Sequence, residues 1–94
     1  MAASPDVLAL PPEVTFASAP AVLGDGERAL AAGARSVDLS ACVRFDSSLI
    51  GVLLELARGA RRAGRPCRFD AAPANVRKLA RLYGVDDLLF GAAP

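Results

Sequence analysis

An aspartate and two serines, Asp46-Ser47-Ser48, stand directly before an aliphatic run that keeps helical period to about Ala63. Asp and Ser accept hydrogen bonds from the unpaired amides of a first helical turn. Gly64 supplies a stop, because glycine accepts the left-handed conformation that closes a helix. At 100° per residue, Leu49, Val52, Leu53, Leu56, Ala60 and Ala63 fall on one side of this helix. Ser47, Ser48, Gly51, Glu55, Arg58 and Arg62 fall on the other, with Ile50 and Leu54 between them at the margin of the polar side. A helix with so broad an apolar side must lie against another layer.

The flanking segments supply that layer. Val7-Leu8-Ala9-Leu10 and Glu13-Val14-Thr15-Phe16 read as short strands around the Pro11-Pro12 turn. Pro20 opens a second helical stretch that closes at Gly33, although Gly24 and Gly26 weaken its middle. Ser36–Leu39 reads as a strand, and 40–45 as its exit loop. Arg65–Asp70 reads as another strand, Pro73–Leu82 as a helix closed by Gly84, and Asp86–Phe90 as a terminal helical turn. Strands alternating with helices predict an α/β fold, with a small, mixed, mostly parallel sheet and helices packed against it. With 94 residues and no linker, one domain over 1–94 is expected, residues 1–5 being flexible.

Residue counts exclude several kinds of chemistry. The chain has no histidine, so imidazole catalysis and histidine metal sites are absent. A serine nucleophile would have no general base, and no G-x-x-x-x-G-K-[ST] phosphate loop is present. No enzyme activity, cofactor or metal is therefore expected. Cys42 and Cys67 form no CxxC pair and read as buried free thiols of a reducing cytosol. The longest apolar stretch, Leu49–Leu54, is far short of the ~20 residues that cross a bilayer. The first residues lack the basic and long apolar regions of a signal peptide. A cytoplasmic protein with no direct membrane insertion is expected.

The net charge of +1 hides an asymmetry. Residues 58–81 carry eight cations against Asp70 alone, whereas 1–57 carry seven acids against three arginines. The basic segment is either a solvated face or a contact for phosphate, anionic lipid or an acidic protein surface. Nucleic acid is not an expected partner, since no stacking platform or recognised motif accompanies the arginines.

The outer side of the 46–63 helix admits two readings. Ile50 and Leu54 either reach neighbouring side chains of the same chain, or form the apolar centre of a contact surface with Gly51 beside them and Glu55 and Arg58 as a polar rim. Glycine inside a helix costs about 1 kcal/mol relative to alanine, which is easier to understand if something packs closely over it. Ser47 and Ser48 are likewise either plain caps or polar groups offered to a partner at the positive end of the helix.

Taken together, Val37-Asp38-Leu39-Ser40, Phe45-Asp46-Ser47-Ser48 and Leu49-Ile50-Gly51-Val52-Leu53-Leu54 resemble the signature of STAS domains. Ala63-Gly64-Arg65-Pro66 and Leu79-Ala80-Arg81-Leu82-Tyr83-Gly84-Val85 are similar to the small STAS subunits of Mla-type phospholipid ABC transporters. The resemblance implies a STAS-like fold and a non-catalytic partner of the transporter's ATPase subunit. It implies a link through that ATPase to the membrane permease, a position peripheral to the inner membrane, and a role in outer-membrane lipid asymmetry. The expected partner-binding residues are Asp46, Ser47, Ser48, Ile50, Gly51, Leu54 and Arg58. In anti-sigma factor antagonists of the same superfamily the hydroxyl after the aspartate is a phosphoserine. Ser47 and Ser48 are thus candidate phosphoacceptors under that alternative.

Overall fold

The computed structural model describes residues 6–91 and places nine elements in the order ββαββαβαα. They are β1 (Val7–Ala9), β2 (Glu13–Val14), α1 (Ala19–Ala31), β3 (Ser36–Asp38), β4 (Arg44–Phe45), α2 (Ser48–Arg62), β5 (Arg68–Asp70), α3 (Ala74–Leu82) and α4 (Asp86–Phe90). The expected α/β class holds. The expectation for residues 1–5 lies outside the described residues.

The strands β1, β3 and β5 form one parallel sheet in that order, with Leu8, Val37 and Phe69 in register across it. A second parallel ribbon joins β2 to β4, pairing Val14 with Phe45. Every described pairing is parallel, where a mixed sheet was expected. The 40–45 segment is more than an exit loop, because it ends in β4. The Pro11-Pro12 step explains both departures. Proline cannot donate to a ladder, so the chain leaves the first sheet there. The Pro12 carbonyl then accepts the amides of Val43 and Arg44, each at 3.0 Å, which draws β4 alongside β2.

The central helix stands on this sheet. Leu49, Leu53 and Leu56 are fully buried, and they pack in one cluster with Val37, Leu39, Phe69 and Val76. Burial of a leucine or valine side chain is worth roughly 1.5–3 kcal/mol, so this cluster dominates what holds α2 in place. Ala63 was expected on the same side, but it is exposed, because it caps α2 beyond the last inward-facing turn. The Gly64 amide then donates to Arg61 and the Arg65 amide to Ala60, at 3.0 and 2.9 Å. That crossed pair of bonds, with Gly64 at φ 74°, is the closure expected of a helix-terminating glycine. It occupies the residues that would have begun β5, so the ladder starts at Arg68 and not at Arg65.

Gly26 settles the doubtful middle of α1, which runs unbroken. A Cβ at Gly26 would lie 2.8 Å from Leu56 Cδ2 and 3.3 Å from Leu8 Cδ2. The glycine is there so that α1 can close on α2. Cys42 is buried and Cys67 half-buried, which corrects the expectation that both are buried. Burial raises both thiols above their ordinary value, and for Cys42 the Asp38 carboxylate adds to the rise. A raised thiol carries little of the reactive thiolate. Among the described residues no helix is long and apolar enough to cross a membrane.

Candidate docking surface

At the start of α2 the two serines separate in role. Ser47 is the N-cap residue by position, yet its side chain makes no capping hydrogen bond. Asp46 does that work. Its Oδ1 accepts the Ser48 amide at 2.9 Å and the Ser48 hydroxyl as well. Its Oδ2 accepts the Phe16 amide at 2.9 Å, from the loop between β2 and α1. One carboxylate thus ties the head of α2 to the chain 30 residues earlier. Those bonds, led by that of the Ser48 hydroxyl, hold the exposed Asp46 carboxyl below its ordinary value of 3.8. The reading of both serines as caps is corrected. Ser48 is held by Asp46, and Ser47 is exposed with its hydroxyl uncommitted among the described residues.

Ile50 also requires correction. It is only 4% exposed and belongs to the core. On a helical wheel it lies about 60° from Ser47, on the same side as Ala57. That side faces α4, where Ala57 and Leu88 line one cleft. Ile50 therefore goes under the neighbouring elements and offers nothing to a partner. Leu54 is half-buried, packed at the edge of the core, and still reaches the surface.

The remaining expected residues fall into line. Ser47, Gly51, Leu54 and Arg58 occupy a narrow arc of α2, about 60° wide at 100° per residue. A Cβ at Gly51 would meet nothing within 4 Å, so no side chain among the described residues requires the glycine. Arg58 pairs with Glu55 at 2.9 Å on the exposed surface, a contact worth about 1 kcal/mol or less. Asp46 lies beside this stripe as its anchor, with both carboxylate oxygens already engaged.

Two shallow clefts border the stripe on one side. The first lies between the head of α2 and α3, lined by Phe45, Asp46, Ser47, Asn75, Lys78, Leu79 and Leu82. The second lies between α2 and α4, lined by Leu54, Ala57, Arg58, Arg61 and Leu88. Leu82 and Leu88 are large apolar residues left 79% and 55% exposed. Sequence reasoning missed Lys78, Leu82 and Leu88 as members of this surface. A signal was available for one of them. Val76 and Ala80 form the inward stripe of α3, and Leu82 stands roughly 200° from Ala80.

Chemically the surface offers an uncommitted hydroxyl, apolar side chains and cations. Among the described residues the one carboxylate lining the cleft with Ser47 is that of Asp46, and it is already engaged by Phe16 and Ser48. Among the described residues no group of three His, Cys, Asp or Glu side chains is placed to hold a metal ion. The arginine-rich segment does not form one face. Arg58 and Arg61 flank the α4 cleft, Lys78 flanks the α3 cleft, and Arg65 lines a separate groove with Glu27 between α1 and α2.

A protein-family model described as "Mlab, STAS domain" matches residues 1–90. A search of curated proteins returns no match.

Proposed function

From its membership of the STAS family, to which this chain belongs, we propose that it is the small accessory subunit of an Mla-type phospholipid-transporting ABC transporter. STAS domains are in general regulatory or accessory and not catalytic, and an accessory role of that type follows from the membership itself. The finer reading is that the chain acts as one STAS domain over its whole length. It docks through the exposed arc of α2 onto the transporter's ATPase subunit and is held through it near the permease. There it supports assembly and activity in maintaining outer-membrane lipid asymmetry, at the cytoplasmic face and without entering the bilayer.

One observation supports this reading above others. Gly51 and the Ser47 hydroxyl, side by side on α2, have no use among the described residues. A helix-interior glycine sacrifices about 1 kcal/mol of helix propensity, and here no packing among the described residues accounts for it. A partner backbone lying over Gly51, with Leu54 as its apolar anchor, accounts for both.

The test is co-purification with the ATPase of an Mla-type transporter from the same genome. Ser47→Arg and Leu54→Glu should keep the circular dichroism spectrum of the folded chain and lose the ATPase. Truncation or blockage of an interface anchor commonly costs about 2 kcal/mol or more, or at least ~30-fold in affinity. Full retention of the ATPase by both variants would overturn the proposal. The uncommitted Ser47 hydroxyl also suits a phospho-switched, anti-sigma-antagonist regulator. Stoichiometric phosphate on Ser47 in the native protein, with no ATPase bound, would decide for that reading instead.

A further inference from the structure

We infer that the docking surface extends beyond the α2 arc onto α3 and α4, and that it selects a partner segment carrying carboxylates beside apolar side chains. The inference rests on the docking role just proposed and names the chemistry of the surface that docks.

Ser47, Leu54 and Arg61 are spaced seven residues apart, so they drift by only about 20° per step along α2. The stripe they make with Gly51 and Arg58 is about 21 Å long, at 1.5 Å per residue. Each end is bordered by an exposed leucine from another helix, Leu82 of α3 at the head and Leu88 of α4 toward the tail. Each end also carries a cation. Lys78 lines the α3 cleft, and Arg61 lines the α4 cleft with Arg58.

Among the described residues neither Lys78 nor Arg61 has an ion-pair partner, whereas Arg58 pairs with Glu55 and Arg81 with Asp86. Among the described residues the only carboxylate lining either cleft is Asp46, and it forms an ion pair with neither cation, its oxygens accepting from Phe16 and Ser48. A segment covering Leu82, Leu54 and Leu88 would therefore bring its own polar groups against two cations that lack an ion-pair partner among the described residues. Neutral or basic groups there would leave those cations desolvated without a partner, which disfavours the wrong occupant. Carboxylates placed at the two ends match them.

Arg62 provides a control, since it carries the same charge one residue from Arg61 but lines a different groove with Glu27 and Glu55. Affinity for the same ATPase should fall about tenfold or more in Arg61→Glu and in Lys78→Glu, and stay within about twofold in Arg62→Glu. Wild-type binding should weaken as salt rises, because the matched charges sit near solvent. If Arg61→Glu and Lys78→Glu bind like Arg62→Glu while Ser47→Arg still fails, docking stands and the acidic partner is refuted. If all three reversals weaken binding equally, the attraction is diffuse and the inference is again refuted. Retention of the ATPase by Ser47→Arg and Leu54→Glu would remove the docking reading itself. A free chain that dimerises on sedimentation, and is made monomeric by Lys78→Glu, would give the surface to a second copy and not to an acidic partner.

Discussion

The two long flanks of α2 treat the same small residue in opposite ways. On the flank toward α1, the backbone at Gly26 is so close that an added methyl would sit 2.8 Å from Leu56. On the outer flank, an added methyl at Gly51 would meet nothing within 4 Å. The first glycine is consumed by the packing of its own chain. The second is not, and it stands between an uncommitted hydroxyl and a half-buried leucine. On the proposed function, the contrast separates stability from recognition along one helix. Substitutions on the inner flank should cost folding, and substitutions on the outer flank should cost docking.

The largest effect is expected at the inner contact itself. Leu56→Ala should lower the unfolding free energy by about 2–5 kcal/mol, the range for emptying a buried leucine site. Urea denaturation measures it, and the molecules that remain folded should still bind the ATPase. Gly26→Val comes next. It forces methyls into Leu56 and Leu8, so it should cost about 1–3 kcal/mol, the range for overpacking. An unchanged midpoint would mean that the two helices can part without penalty, and the contrast between flanks would then dissolve. Gly51→Ala should move stability the other way, raising it by up to about 1 kcal/mol through helix propensity alone. A loss at Gly51 would show that something inside the chain packs there after all.

The smallest expected effect is at Asp46, and pH reads it. Its carboxyl is held below the usual value by the Ser48 hydroxyl and by the Phe16 and Ser48 amides. A depressed carboxyl binds its proton less readily in the folded than in the unfolded chain. Its contribution is therefore complete above the unfolded value, near 3.8, and is lost as pH falls through the lower folded value. The stability difference between the wild type and Asp46→Asn should be constant near neutral pH and shrink below about pH 4. A difference that persists unchanged in acid would show that the carboxylate charge is not what fastens the head of α2.

How much of this was legible in the sequence followed from how local the cause was. The inward stripe of α2 is set by spacing alone, and Leu49, Val52, Leu53, Leu56 and Ala60 are all buried as expected. The stops at Gly64 and Gly84 are local backbone facts and were equally readable. The structure puts Ile50 in the core, and it was left between two readings because the wheel shows an angle but not which neighbour covers it. That depends on where α3 and α4 settle after β5. The β4 strand was missed because two residues carry no period, and its cause is a proline 31 or more residues away in the chain. Gly26 read as a weakness of α1 because its reason is Leu56, on another helix. Lys78, Leu82 and Leu88 escaped for the same reason, since they join the proposed docking surface only when three helices are brought together.

Amide hydrogen exchange of the chain, free and bound to the ATPase, tests most directly whether the outer flank of α2 is the part that is gripped. The expected result is slowed exchange over residues 47–58 and over the α3–α4 segment, with α1 and β1 unchanged. Slowing confined to α1 or to the β1 edge, with 47–58 unaffected, would contradict it.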